Sequence, residues 1–483
     1  MRSIHPEWQH TLELQTSGRF VQDSAHPTPP HGRQPTTVAQ LSRTFGAAIA
    51  TDGELSLSHD TGKIGKMQMQ SQPTGAKSQS SNNFDSLRLI FAVMVIFSHS
   101  FPLTRGSNDT EPLSRLTFGQ VNFGNVSVWS FFVISGFLIT QSWQRSPKIV
   151  KYLKRRFGRI YPGFAVASLV TALLVVPIAA APATYHPVSL QSYILTALRL
   201  KIFDFPPVFL NNPESNILNG SLWSIGYEFW CYLGVLALGL TGLLGRKSVV
   251  VAIFVLAIAG HLYIDITGWS RSGGIVGEIL GFPPFWFVVL PFFMAGMLFH
   301  IYGGKQLLTP RYLLLAAAAL VASVFIPHAL IVTVPTCGAY LLMGLAYLPS
   351  LHPLNLGRFG DFSYGTYLYA YPIQQLLVMR AHGHISPWLL FAESAPLTLI
   401  VGALSWFLVE QHFMNRSSLL KHEGILPVKT AATSENLKRL STYQLPSKLE
   451  TLNPPSAATH TARTQHGAET LASSTLKTDL PTP

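Results

Sequence analysis

Charge is what this chain has least of. Only 12% of its 483 residues are Asp, Glu, Lys or Arg, against 48% hydrophobic residues, a balance too apolar for an ordinary soluble domain. Acidic residues are scarcer than basic ones, 22 against 34, leaving a net charge of +12. The two cysteines, Cys231 and Cys337, fall inside apolar runs, where they pack as small apolar residues rather than form a disulfide. No HExxH or paired CxxC occurs, so no metal site is expected. A Gly-x-Ser-x-Gly elbow is missing, and with it the mark of an appended hydrolase domain. No basic helix with interleaved aromatics stands apart from the apolar runs, which argues against a nucleic-acid partner. The early basic residues are not followed by the short apolar core of a signal peptide, so the first apolar run is expected to direct insertion.

What the chain does have is long apolar stretches, about ten of them, near 87–104, 126–143, 161–181, 221–244, 248–266, 285–302, 312–328, 330–349, 362–380 and 386–409. They predict an all-α, polytopic transmembrane helix bundle spanning residues 83–413. The flanks, 1–82 and 414–483, are rich in Ser, Thr, Pro, Gln and Gly without apolar period, the composition of disordered segments. Met67 and Met69 offer alternative starts within the first flank. The loop QRSPKIVKYLKRRFGRIYP carries Arg145, Lys148, Lys151, Lys154, Arg155, Arg156 and Arg159 with no acidic residue, so it is assigned to the cytoplasm. Alternation of the spans then puts both termini in the cytoplasm; the inner (plasma) membrane is the expected location.

Polar residues inside these runs carry the functional information, because an ionisable group at bilayer depth is costly. In FDSLRLIFAVMVIFSHSFPL, Asp85 opens the helix and Arg88 and His99 stand eleven residues apart. That is close to three full turns, so both share one stripe, separated along the axis by roughly 16 Å. Arg88 falls at the entrance and His99 deep inside. In NGSLWSIGYEFWCYL, Ser221, Ser224, Glu228 and Tyr232 recur at spacings of 3, 4 and 4 and line one helical face. Counted from the outer surface, Glu228 falls at a depth similar to that of His99, and the two are expected to meet. A structural pairing without chemistry is the plainer alternative for them. Ser135 and Gly136, in SFFVISGFLIT, are small residues of the kind that let helices approach; packing is favoured there, with Ser135 kept as a candidate substrate contact. Arg155, Arg156 and Arg159 are either topology signals or a cradle for phosphates. The tyrosines of FSYGTYLYAYPIQQ read most simply as an aromatic belt, whereas the paired mid-helix glutamines Gln374 and Gln375 do not.

Taken in order, these stretches resemble the acyltransferase 3 family of integral membrane acyltransferases. The resemblance covers residues 84 to about 413 and rests on Asp85, Arg88 and His99, FFVISGF at 131–137, RRFGRIYP at 155–162, SLWSIGYEFWCY at 221–232, FSYGTYLYAYP at 362–372 and FLVEQHF at 407–413. It implies transfer of an acetyl or similar group to bacterial glycans or lipids, with His99 at the reaction centre and the arginines on the donor's side. One departure is plain: many members carry a His where this chain has Ala370. That puts the class of acceptor in doubt, since this helix, with Tyr367 and Gln374, lines the same cavity.

The expected donor is a cytoplasmic acyl-CoA, acetyl-CoA in the first instance, used as a substrate, with no permanently bound cofactor. Arg88, Arg155, Arg156 and Arg159, beside Asp85, would hold its anionic head, while Ser135, Ser224, Tyr232, Tyr367 and Gln374 line the substrate path. His99 acts as general base toward a hydroxyl of a glycan or lipid-linked acceptor, and Glu228 orients and balances the ring. Direct transfer and an acyl-His intermediate both stay open. So does acetyl against succinyl, and the acceptor ranges over exopolysaccharide, O-antigen, lipid-linked glycan, nodulation-type oligosaccharide or macrolide. A transporter of lipid or glycan with His99 and Glu228 as proton relay is the rival reading, disfavoured by the lack of a clear inverted repeat.

Overall fold

A computed structural model describes residues 82–271, 274–349 and 356–414. The expected disorder of the two flanks falls, apart from Asn82 and Met414, outside the described residues. The described residues fold mainly into helices, the longest being α1 Phe84–Arg105, α2 Phe123–Arg145, α3 Ile149–Ala179, α4 Trp223–Leu240, α5 Lys247–Thr267, α6 Pro283–Ile301, α7 Pro310–Ser323, α8 Ala329–Ala346, α9 Ser363–Arg380 and α10 Pro387–Phe413. Seven of these, α1, α2, α3, α5, α6, α8 and α10, are long and apolar enough to cross a membrane. By that measure the expected count of about ten is not reached. The remaining runs also fold as helices, but α7 has only 14 residues, and α4 and α9, at 18 residues each, carry the polar side chains of the site.

Local chemistry sets the ends of α1 and α2. Asn83 ties the start of α1 to the end of α8 by donating from Nδ2 to the carbonyls of Leu345 and Leu348 at 3.1 and 2.9 Å. The helix stops where Gly106 turns left-handed at φ +71° and its N–H closes on the Pro102 carbonyl, the usual role of a glycine just past a helix end. Asn122 and Asn125 cap α2 reciprocally, satisfying two otherwise orphaned donors.

α1 packs against α2, α9 and α10, and α2 packs in turn against α4 and α6, so α1 and α2 lie at the centre. The windows of α1, α2 and α6 are 56% buried within the protein, against 17% for α5, which marks α5 as a peripheral helix with most of its apolar surface left for lipid. Contact between α2 and α6 depends on two glycines. A β-carbon on Gly136 would run into the Phe293 carbonyl, and one on Gly296 into the Val133 carbonyl, so the backbones touch, as small residues at a membrane helix crossing permit.

The connection between α3 and α4 is not a surface loop over its whole length. Phe203, Val208, Phe209, Leu218, Asn219 and Ser221 are all buried, yet residues 201–222 contain no helix. Such a backbone is tolerable inside a bundle only when its polar groups are paired. Gln375 of α9 does this by donating to the carbonyls of Glu214 and Ile217, while Asn212 donates to the backbone and side-chain oxygens of Gln375. Asn219 reaches the Leu368 carbonyl at 2.9 Å. α4 therefore starts inside the protein, not at its edge.

Candidate active site

Arginines from two helices meet on one carboxylate. Arg88 Nη1 of α1 and Arg159 Nη2 of α3 lie 2.9 and 2.6 Å from Asp361 Oδ2, and Ser363 donates to Asp361 Oδ1 at 2.5 Å. All three charged side chains are largely withdrawn from solvent, at 18%, 10% and 14% exposure for Arg88, Arg159 and Asp361. Burial by itself would raise the Asp361 carboxyl, but the Arg159 and Arg88 guanidiniums outweigh it and hold the group down at about 2. Glu410 completes the cluster. It is buried, accepts from Ser405 Oγ at 2.9 Å and keeps Oε2 without a partner. A π-helical turn over Trp406–Glu410 interrupts α10, and such turns reset which side of a helix a residue faces. The Arg159 guanidinium also lies over the Tyr364 ring at 5.4 Å, and Tyr364 donates to the Ile160 carbonyl at 2.8 Å.

The other basic residues stand beside this cluster. Arg156 lies over the rings of Tyr152 and Tyr232 at 5.7 and 5.8 Å, and the Nε atoms of Arg155 and Arg156 are buried without a partner. Asp85, at the foot of α1, packs against Gly357. Asp85, Arg88 and the arginines of α3 are expected from the sequence as donor contacts; Asp361 and Glu410, which stand beside Arg88 and Arg159 here, are not among the residues singled out there. Asp361 sits one residue before the tyrosine-rich run; its signal was an acid flanking a helix otherwise without one. Glu410 lies within FLVEQHF, one residue past the expected end of the last span at 409.

Next to Arg88 a narrow cavity of about 30 Å³ is lined by Ser224, Glu228, Ser363, Tyr364, Tyr367 and the aromatic side of α2, room for roughly one water. Its polar walls are joined to one another. Glu228 Oε1 accepts from Ser135 Oγ in a very short hydrogen bond and from Tyr232 OH at 2.6 Å, and Ser224 Oγ and Tyr367 OH are 2.8 Å apart. Ser135 is thus more than a packing residue. The tyrosines of α9 are not a lipid-facing belt either, since Tyr364, Tyr367, Tyr369 and Tyr371 are all buried.

His99 stands further along the same face of α1. Its ring meets Tyr371 edge-on, with centroids 5.3 Å apart, and its Nδ1 is buried without a hydrogen-bond partner. The expected meeting with Glu228 does not occur. Glu228 belongs to the level of Tyr364 and Tyr367, whereas His99 belongs to that of Tyr371, one to two turns or roughly 6–10 Å further along α9. The depth count started α4 at the bilayer surface, whereas α4 follows the irregular, partly buried segment 201–222 and begins inside the protein. Gln374 Nε2 donates to the Ile96 carbonyl at 2.8 Å and to Ser100 Oγ at 2.9 Å, clamping the turn of α1 that carries His99, while its Oε1 is buried without a partner. Ala370 packs with Ile96 and Ala395 between α1 and α10.

Membrane-length helices closing round buried arginines, carboxylates, tyrosines and an imidazole with an unpartnered nitrogen define an integral membrane protein with a polar interior. A family model described as an acyltransferase domain matches residues 81–409, more than half of the chain. The chain therefore belongs to the acyltransferase 3 family and is an acyltransferase. It is similar to an O-acetyl transferase of Shigella phage Sf6, 29% identical over 357 residues that make up 70% of this chain and 97% of the relative. It is also similar to nodulation protein 10 of Rhizobium leguminosarum bv. viciae, 28% identical over 355 residues, 70% of this chain and 95% of the relative. No solved structure matches.

Proposed function

We propose that the protein transfers an acyl group, acetyl in the first instance, from a cytoplasmic acyl-CoA to a hydroxyl of an extracytoplasmic or lipid-linked glycan in the inner membrane, with His99 as general base. The observation that carries this reading is the stripe on α1: a guanidinium at its mouth, an imidazole with an unpartnered nitrogen three turns further in, and buried tyrosines of α9 facing both. The name of the phage relative supports O-acetyl transfer.

Arg88 and Arg159, with Arg155 and Arg156 beside them, suit the pyrophosphate and phosphate of a CoA head through charge-assisted hydrogen bonds. The pantetheine arm then runs past Glu228, Ser224 and Tyr367, whose hydroxyl and carboxylate groups can meet its amides. The thioester arrives near His99. There the acceptor oxygen attacks the carbonyl carbon as its proton passes to the imidazole; the C–S bond breaks, and the proton leaves with the thiolate as CoA thiol. Glu228 takes a place on the donor path and not behind the base.

Purified protein in nanodiscs, given labelled acetyl-CoA, tests this reading. Donor binding with slow hydrolysis, and loss of an O-acyl group from the surface glycans of a deletion strain by mass spectrometry, are expected. Movement of a glycan or lipid across the bilayer with no donor binding and no hydrolysis would contradict it.

A further inference from the structure

A second and roomier cavity, of about 910 Å³, lies beyond the far end of α1 and is lined by Phe101, Arg105, Thr110, Arg115, Ser386 and Trp388, among others. It is separate from the donor path. Phe101 is two residues past His99, about 200° round the helix, and Arg105 six residues past it, about 240° round and roughly 9 Å along the axis, so both stand on a different face from His99. The lining carries two cations and no acid. Arg105 and Arg115 are exposed, and neither guanidinium has an ion pair or hydrogen bond among the described residues. The nearby Glu111 is fully buried, and its oxygens accept from the amides of Ser114 and Phe123 at 2.7 and 2.8 Å. Trp388 is 60% exposed but braced by Phe97, tilted against it at 5.5 Å, and by Phe101, edge-on at 5.8 Å. One part of its ring is fixed and the rest is open to the cavity.

We propose that this cavity binds an anionic saccharide unit of the acceptor, remote from the sugar whose hydroxyl is acylated; this rests on the glycan acceptor of the reading above. An open indole on a rigid base offers a flat apolar platform to the C–H face of a sugar ring. Two guanidiniums lining one cavity without a protein anion match a carboxylate or phosphate, which a guanidinium binds through two parallel hydrogen bonds. The unit held here is too far round α1 to present its own hydroxyl to His99. Its contribution is binding energy from a part of the substrate that does not react, which helps to hold the reacting unit in place.

The full chain in phosphatidylcholine nanodiscs is titrated with trigalacturonate, maltose 1-phosphate and uncharged maltotriose, and binding is read by calorimetry. One or both anionic saccharides should bind at least tenfold more tightly than maltotriose, and whichever binds identifies carboxylate or phosphate as the anion. Arg105→Ala with Arg115→Ala, and separately Trp388→Ala, should each weaken that binding at least tenfold. Arg380→Ala, which removes an exposed cation already paired with Glu393, should leave it unchanged. Unaltered melting in nanodiscs identifies folded variants, and Arg105→Lys, retaining charge without the fork, should bind at an intermediate level. Equal binding of charged and uncharged saccharides, no saccharide binding, or variants that alter only retention of phosphatidylglycerol would overturn the proposal, the last making the cavity a lipid-headgroup site. Acetyl-CoA is titrated in parallel into the unsubstituted protein. If it fails to bind while trigalacturonate binds at the cavity, the acyl-CoA reading fails and the saccharide site stands.

Discussion

Arg88 and Arg159 converge on the same oxygen of Asp361, and that carboxylate does two things at once. It holds together side chains from α1 and α3, and its single negative charge offsets only one of the two guanidiniums it touches. Removing it strands two mostly buried cations, which typically costs about 3–5 kcal/mol. Asp361→Asn should therefore lower the melting temperature in detergent and weaken acyl-CoA binding together; a folded variant with unchanged donor affinity would separate the cluster from the donor. The pH dependence has a definite sign. A carboxyl held at about 2 in the folded protein, against about 3.9 when unfolded, contributes stability that is complete above pH 4 and is lost as pH falls toward 2. Melting measured between pH 5 and 8 should show no titration from Asp361. Glu228 makes a different prediction. Since it bonds to Ser135 and Tyr232 and not to His99, Glu228→Gln should raise the apparent KM for acyl-CoA. Its effect should also combine with that of a partially active His99 variant such as His99→Gln as independent factors, because separated sites behave additively. A strongly non-additive double variant would restore the carboxylate–imidazole pair.

At the scale of helices, periodicity was enough to place Arg88 and His99. A single regular helix holds both, and the spacing of eleven survives any error at its ends. The same arithmetic misplaced Glu228, because its depth depended on where α4 begins, and a buried irregular segment pinned by Asn212, Asn219 and Gln375 has no signature in hydropathy. Asp361 and Glu410 were hidden for related reasons. One lies between helices, and the other is turned inward by a π-helical turn that a regular 3.6-residue count does not contain. Gly136 was legible as a small residue in a span, but its partner Gly296 was not. Their backbones are in contact, so neither helix can yield to a side chain by rotamer change. Gly136→Val or Gly296→Val should sharply reduce the yield of folded protein by fluorescence-detected size exclusion, with Ser135 and hence Glu228 displaced; full recovery with normal melting would show that the crossing tolerates a wider gap.

For the whole molecule, low charge, long apolar runs and ordered motifs were sufficient to indicate a helical membrane acyltransferase, and the match across residues 81–409 bears that out. What composition could not supply is the division of labour along α1. The cluster of arginines and Asp361 lies at one end, the joined hydroxyls and Glu228 follow, and His99 stands beyond them at the level of Tyr371. If that order is a reaction path, binding and chemistry should separate cleanly by position. The direct measurement is single-turnover transfer from labelled acetyl-CoA in nanodiscs, with donor affinity determined alongside, for Arg88→Ala and His99→Ala. Arg88→Ala should weaken donor binding and keep residual transfer at saturating donor. His99→Ala should bind the donor normally and lose transfer by about 100-fold to 10,000-fold, the usual range for a missing general base. A folded His99→Ala protein that still transfers at a near-normal rate would contradict the account.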